Sequence, residues 1–348
     1  MEGSTFYLGF EPALMVFLQG FMGPVLTVIM SFFTMLGEEA IVVGILGFLY
    51  WVWNKELAIF MGTNILVGTV WNPLLKNLAL RRRPYFDHPD IQCLKPVHEG
   101  DIYDIASQGY SFPSGHSSNA TILYGSFPFA VKRHGLMTKR AKRKLLRILR
   151  VIAFLVPFLV GLSRVMVGVH YPTDVFAGWA LGIVVIFLIS FLQKKVRTRW
   201  MLHAALVLVS LPGLFYCRTN DYYTCFGIMT GFFLGCFIDE RFIQFENTRQ
   251  PVPAILRMVF GLGFYFLLNT VFKLPFSAEF LASATTGQFL VRLVRYFLVS
   301  FLMLGLYPAL FRVVEARFFP APRQMPYHQT AAPVRKNTSG KKKSGKKS

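Results

Sequence analysis

Residues 151–192 read VIAFLVPFLVGLSRVMVGVHYPTDVFAGWALGIVVIFLISFL. Two strongly apolar runs enclose the segment 163–174, SRVMVGVHYPTD, which carries Arg164, His170 and Asp174. A helix that crosses a bilayer needs about 20 predominantly apolar residues, and the flanking runs approach that length. A cation, an imidazole and a carboxylate set between such runs are costly near hydrocarbon and are usually functional.

The rest of the chain has the same character. Of its 348 residues, 54 % are hydrophobic and 16 % charged, against about 25 % charged in an ordinary soluble domain. The fold class read from this is an all-α, polytopic membrane helix bundle. Apolar runs cover 13–36, 40–53, 57–75 and about 117–131; a fifth helix ends near 163 and a sixth fills 174–192. Gly20, Gly23 and Pro24 interrupt the first run, so a re-entrant or interfacial helix is the alternative to a span there. Four further spans are read at 200–216, 222–238, about 254–272 and about 289–311. Three parts follow: a six-helix core over 1–199, additional transmembrane helices over 200–319, and a basic tail over 320–348. The tail is rich in Pro, Ser and Lys and ends KKKSGKKS; it lacks the apolar residues to bury a core and is expected to be disordered.

The formal charge of +20 invites a nucleic-acid reading, but its distribution opposes one. The cations gather in short loops and the tail, and nothing resembles a folded basic nucleic-acid module. Nine Lys or Arg fall in 132–150, and KKVRTR occupies 194–199. Under the positive-inside rule both are cytoplasmic loops. The intervals 76–116 and 163–174 then share the opposite, non-cytoplasmic side, and the tail is cytoplasmic, where it can meet anionic lipid. Cys93, Cys217, Cys225 and Cys236 fit no metal spacing. Cys217 and Cys225 flank the turn between the seventh and eighth spans, where a disulfide and two free thiols are both open readings. No basic n-region precedes a small-residue cleavage site, so no removable signal peptide is expected.

Three segments carry the chemistry. Lys76 and Arg83, in KNLALRRRP, are seven residues apart, about two helical turns, and share a face if the helix continues. Arg83 offers a planar fork to phosphate oxygens and Lys76 a point charge. A solvated membrane flank is the plainer reading of RRRP, but these cations lie on the side where the positive-inside rule disfavours them. PSGH, residues 113–116, precedes a helix. There Ser114 can donate its hydroxyl, backbone near Gly115 can approach an anion closely, and His116 can protonate a leaving oxygen. His170 and Asp174 are four apart with Pro172 between them. Asp174 either caps the following helix and also orients the imidazole, or only caps it beside an interfacial histidine.

Together the chain holds K-x6-RP, PSGH and SR-x5-H-x3-D, in that order. This resembles the type 2 phosphatidic acid phosphatase (lipid phosphate phosphatase) superfamily, which includes the vanadium haloperoxidases. The resemblance covers 1–199 at most. It implies Lys76, Arg83 and Arg164 as phosphate ligands, with Ser114 and Gly115 completing the cradle. It implies His170 as the nucleophile that forms a phosphohistidine, Asp174 as its orienting carboxylate, and His116 as general acid and later activator of water. It implies no metal and no other cofactor.

The expected partners are the membrane and a lipid phosphate or diphosphate; phosphatidate, phosphatidylglycerol phosphate, polyprenyl diphosphate and sphingoid-base phosphate are all candidates. Glu99, Asp101 and Asp104 can recognise a head-group amine or form a solvated acidic loop. The FPSGH form resembles bacterial members, which implies a bacterial plasma membrane. A phosphotransferase differs from the hydrolase only in its acceptor. A non-catalytic transporter or interaction protein on the same fold is the third reading, and the presence of His170, His116 and Asp174 weighs against it.

Overall fold

The structure, a computed structural model, describes residues 3–95, 101–133 and 139–318. Glu99 and the basic tail lie outside the described residues. The helices follow the sequence punctuation closely. After α1 (Glu11–Gln19), α2 (Pro24–Met35) opens on a proline at its first position, where the missing N–H would be unpaired anyway. Next, α3 (Glu39–Phe48) runs on through a wide π-type turn to Trp53, and α4 (Lys55–Ala79) begins where the Asn54 side chain accepts the Leu57 N–H at 2.9 Å.

Two four-residue turns, α5 (Pro84–Asp87) and α6 (Ile105–Gln108), lead to α7 (Gly115–Arg133), α8 (Lys139–Met166) and α9 (Pro172–Lys195). Beyond them lie α10 (Arg199–Ser210), α11 (Gly213–Tyr216), α12 (Asn220–Ile238), α13 (Pro251–Val271), α14 (Ala278–Ala282), α15 (Thr286–Phe301) and α16 (Tyr307–Phe318).

The span count differs from the ten read in the sequence. Six described helices are individually long and apolar enough to cross a membrane: Lys55–Ala79, Arg140–Met166, Pro172–Lys195, Arg199–Tyr216, Pro251–Val271 and Thr286–Phe311. A seventh is possible if the pair Pro24–Met35 and Glu39–Trp53, bent by 46°, forms one broken span. The run 13–36 is therefore not one straight helix. It breaks at Gly20 and Gly23, giving pieces of 9 and 12 residues, each too short to span alone. The helices α7 and α12, each of 19 residues, are not among the six. On α7, Ser117, Ser118, Asn119 and Thr121 are buried, so this helix presents its polar groups to neighbours.

Within the bundle α7 packs against α4, α8 and α9, while α12 joins α4 to α15. Small residues set these contacts. A Cβ on Gly178 of α9 would stand 2.6 Å from the Ser114 carbonyl oxygen, and one on Gly182 2.6 Å from Thr121 Cβ. On α12, Gly231 and Gly235 face the backbone of residues 301 and 305 in the same manner. Small residues allow such close helix approach where lipid supplies no hydrophobic drive. One apolar core runs from Ile65, Ile122 and Val185 to Phe226, Phe232 and Val299. Cys217 and Cys225 are free thiols; the disulfide is not formed, and the Cys217 Sγ instead lies 3.9 Å from the Pro73 carbonyl oxygen.

Candidate active site

Lys76 sits in the last turn of α4, which stops at Ala79 as Leu80 turns left-handed (φ 52°). The shared helical face expected for Lys76 and Arg83 is therefore not formed. Arg83 stands in extended backbone (φ −75°, ψ 153°) directly before Pro84, and a proline disfavours helix in the residue preceding it.

The three consecutive arginines diverge. Arg81, 1 % exposed, donates to Asp174 Oδ1 at 2.7 Å, Thr173 Oγ1 at 2.7 Å and Glu11 Oε2 at 3.1 Å. Arg82 pairs with Asp87 at 2.5 Å. Arg83 is buried, and its guanidinium reaches the carbonyls of Gly109 (3.2 Å), Gln108 (2.5 Å) and Val169 (3.4 Å). These bonds fix the plane of a fork beside the 163–174 loop.

Arg164 lies in the last turn of α8. It is 1 % exposed, and its Nε and Nη1 have no hydrogen-bond partner among the described residues. A guanidinium buried without acceptors is costly, and two open donors of this kind are chemically suited to an anion. The chain then reverses at Gly168 (φ 80°), where an added Cβ would meet the Gln92 carbonyl. That turn delivers His170.

His170 is 2 % exposed, with Nδ1 3.4 Å from Asp174 Oδ2. Burial, then the charges of Arg83, Arg164, Lys76 and Lys95, hold its imidazole well below the usual histidine range. The ring is therefore neutral at pH 7. Asp174, in the first turn of α9, accepts the Tyr171 N–H at 2.8 Å and the Ser111 hydroxyl on Oδ2. Capping and facing the imidazole are thus combined in one carboxylate.

The third segment joins the same place. The Ser114 N–H donates to the Asp174 carbonyl at 3.0 Å, locking the start of α7 to that of α9. Ser114 Oγ accepts from the Ser117 hydroxyl at 2.9 Å, which leaves the Ser114 proton available to another acceptor. Gly115 opens α7, whose first N–H groups lack helical partners. His116 interacts electrostatically with Arg164, His170, Lys95 and Lys76.

Sequence reasoning missed Arg81, Ser111, Glu11 and Lys95. Arg81 stood in plain view within RRRP but carried nothing to distinguish it from Arg82. Lys95 comes into reach of Arg83 and Arg164 because the Leu94 N–H bonds the Val167 carbonyl at 3.0 Å. Burial, then those two arginines, lower its ammonium pKa. Of the acidic-loop candidates, Asp101 and Asp104 are exposed, and Asp101 accepts the Tyr103 N–H at 3.0 Å.

Residues 56–198 match the family profile described as the PAP2 superfamily, and residues 223–317 that of the PAP2 superfamily phosphatase, transmembrane extension. The chain is 33 % identical over 126 residues to phosphatidylglycerophosphatase B of Bacillus subtilis, covering 36 % of this chain and 53 % of the relative. It is 30 % identical over 130 residues to lipid A 1-phosphatase of Rhizobium johnstonii, covering 35 % and 44 %. It is 37 % identical over 109 residues to decaprenylphosphoryl-5-phosphoribose phosphatase of Mycobacterium tuberculosis, covering 31 % and 46 %. The chain thus spans about half the length of the curated relatives it matches. The crystal structure of a transmembrane PAP2 type phosphatidylglycerolphosphate phosphatase from Bacillus subtilis is similar at 28 % identity, with 54 % of this chain and 87 % of that one covered and a TM-score of 0.41.

Proposed function

The chain belongs to the PAP2 superfamily, and from that premise we propose that it is a membrane phosphatase hydrolysing a lipid phosphate or diphosphate through a phosphohistidine. The observation that carries this reading is the unpaired, buried guanidinium of Arg164 beside the buried His170, whose Nδ1 faces Asp174.

With Nδ1 toward the carboxylate, Nε2 is the nitrogen left to attack. It forms a bond to phosphorus while the ester P–O bond breaks, and His116 gives a proton to the departing oxygen. Burial and then the surrounding cations lower the His116 pKa in the free site; it holds that proton once the bound phosphate's negative charge favours imidazolium. Water then attacks the phosphohistidine as His116 takes up a proton, releasing phosphate and free His170. Lys76, Arg83 and Arg164, with the Ser114 hydroxyl and the Gly115 end of α7, offset the charge spread over the equatorial oxygens. In this reading those cations do the neutralising and no metal takes part.

Arg164, at the site end of α8, lies 14 to 25 residues from the basic stretch 139–150 at its other end, about 20–40 Å at 1.5 Å per residue. With the basic end cytoplasmic, the site faces the other side of what we take to be a bacterial plasma membrane.

The test is phosphate release from a panel of lipid phosphates by protein in detergent with chelator present. Turnover by wild type and its loss in His170→Ala are expected. A strict need for added divalent metal, or wild-type turnover no better than His170→Ala across the panel, sinks the reading.

A further inference from the structure

Glu11 lies 45 residues before the start of the family match, yet it is bonded into the site and 0 % exposed. Its Oε1 accepts both the N–H and the hydroxyl of Thr173, each at 2.8 Å. Its Oε2 accepts from Arg81 at 3.1 Å and from the Leu8 N–H at 2.8 Å. Thr173 is the second residue of α9, so its N–H has no helical partner, and a carboxylate there is favoured by the helix dipole.

The residues leading to Glu11 form a strap across two motif segments. Ser4 exchanges backbone bonds with Leu80 and Arg82, at 2.7 and 3.0 Å. Phe6 and Tyr171 stand over the Arg81 guanidinium at 4.6 and 4.1 Å, and Tyr7 stacks on Tyr171 at 5.9 Å. A continuous chain of buried charge results: Glu11, Arg81, Asp174, then the His170 ring.

We propose that Glu11 is a positioning residue for the reaction, fixing the orientation and the charge of Asp174 through Arg81 and Thr173, so that the strap over residues 4–11 is part of the active site. This rests on the phosphatase reading above. Arg81 is shared between two carboxylates, and the negative charge of Glu11 decides how far Arg81 offsets that of Asp174. The other charged or titratable groups facing His170 are Lys76 of α4, Arg83 before α5, Lys95, His116 of α7 and Arg164 of α8. None of these bonds Glu11 among the described residues, whereas Arg81 bonds both Glu11 and Asp174.

The test uses the full chain in dodecyl maltoside with dioleoyl phosphatidate as probe. Glu11→Gln should keep KM within about twofold and lose about tenfold in kcat, equivalent to about 1.4 kcal/mol of barrier. Removing one negative charge disfavours imidazolium, so the acidic limb of kcat/KM should move to lower pH. Carbon-13 NMR of labelled imidazoles, with His170 assigned through His170→Ala, should show the same shift. An unmoved limb and an unmoved His170 titration overturn the proposal, whatever kcat does, and reduce the strap to a structural tie. If wild type turns over no phosphatidate, the phosphatase reading is in question, while the His170 titration still decides the coupling. If Glu11→Gln does not fold, Arg81→Lys keeps the charge but can span only one carboxylate. It should lower kcat and move the His170 titration, and a titration unmoved from wild type overturns the proposal.

Discussion

Arg81 and Asp174 lie 93 residues apart in the chain and meet at 2.7 Å with side chains 1 % and 0 % exposed. Such a pair is not a net gain by default, because desolvation offsets much of the attraction. Breaking it is another matter, since the remaining charge is buried alone. The pair therefore holds the start of α9 to the end of α4 and fixes the carboxylate that faces His170.

Asp174→Asn should preserve the shape of that junction while removing its charge. The carboxamide oxygen can still accept from Arg81, but its NH2 then faces the Tyr171 N–H, so that donor loses its acceptor and the imidazole its anionic partner. We expect kcat to fall on the order of 10³- to 10⁴-fold, by analogy with loss of the orienting aspartate in a histidine-dependent triad. Single-turnover phosphate release checks this; a fall under tenfold would falsify the orienting role.

The pH dependence follows from the depressed pKa of His170, caused by burial and then by the cations around it. A nucleophile must be deprotonated, and a lowered pKa keeps it so at lower pH. The acidic limb set by this group should lie below the ordinary histidine value of about 6.5. An NMR titration of His170 with a midpoint at or above 6.5 contradicts the assignment.

Arg164→Leu should separate stability from function. The substitution removes a buried guanidinium with two unpaired donors, so the ligand-free protein should melt at the same temperature or a few degrees higher. Turnover should be lost, and inorganic phosphate should raise the melting temperature of wild type but not of the variant. Equal phosphate stabilisation of both proteins excludes Arg164 from the cradle.

Gly178→Val tests the packing that brings α7 to α9. Even a Cβ at this position would stand 2.6 Å from the Ser114 carbonyl oxygen, so the helices must separate. A cost of about 1–3 kcal/mol is expected, with kcat reduced because the bond from the Ser114 N–H to Asp174 is strained. Wild-type melting and turnover together would show that this interface yields without consequence.

Much of the candidate site was legible because its residues are tied to local sequence. The turn at Gly168, the proline at 172 and the α7 start at Gly115 place His170, Asp174 and Ser114 within a few residues of features visible in the chain. Arg83 stands in a different local conformation from a continued helix, since Pro84 extends the backbone before it. Glu11 gave no signal at all. Its partners are Thr173, 162 residues away, and Arg81, 70 residues away, and nothing in the pattern around EPALM differs from a helix start.

By itself, the sequence determined that the chain is a bundle of membrane helices and that three short segments carry the motifs of the PAP2 superfamily. Hydrophobic run length and fixed motif spacing are one-dimensional properties, and both survive in a string of letters. Only the tertiary structure decided how many helices are long and apolar enough to span, which of three adjacent arginines serves Asp174, and that a glutamate near the N-terminus reaches the same cluster. Those outcomes depend on where buried charges find partners, and a buried charge takes the partner that packing brings within about 3 Å, however distant in sequence.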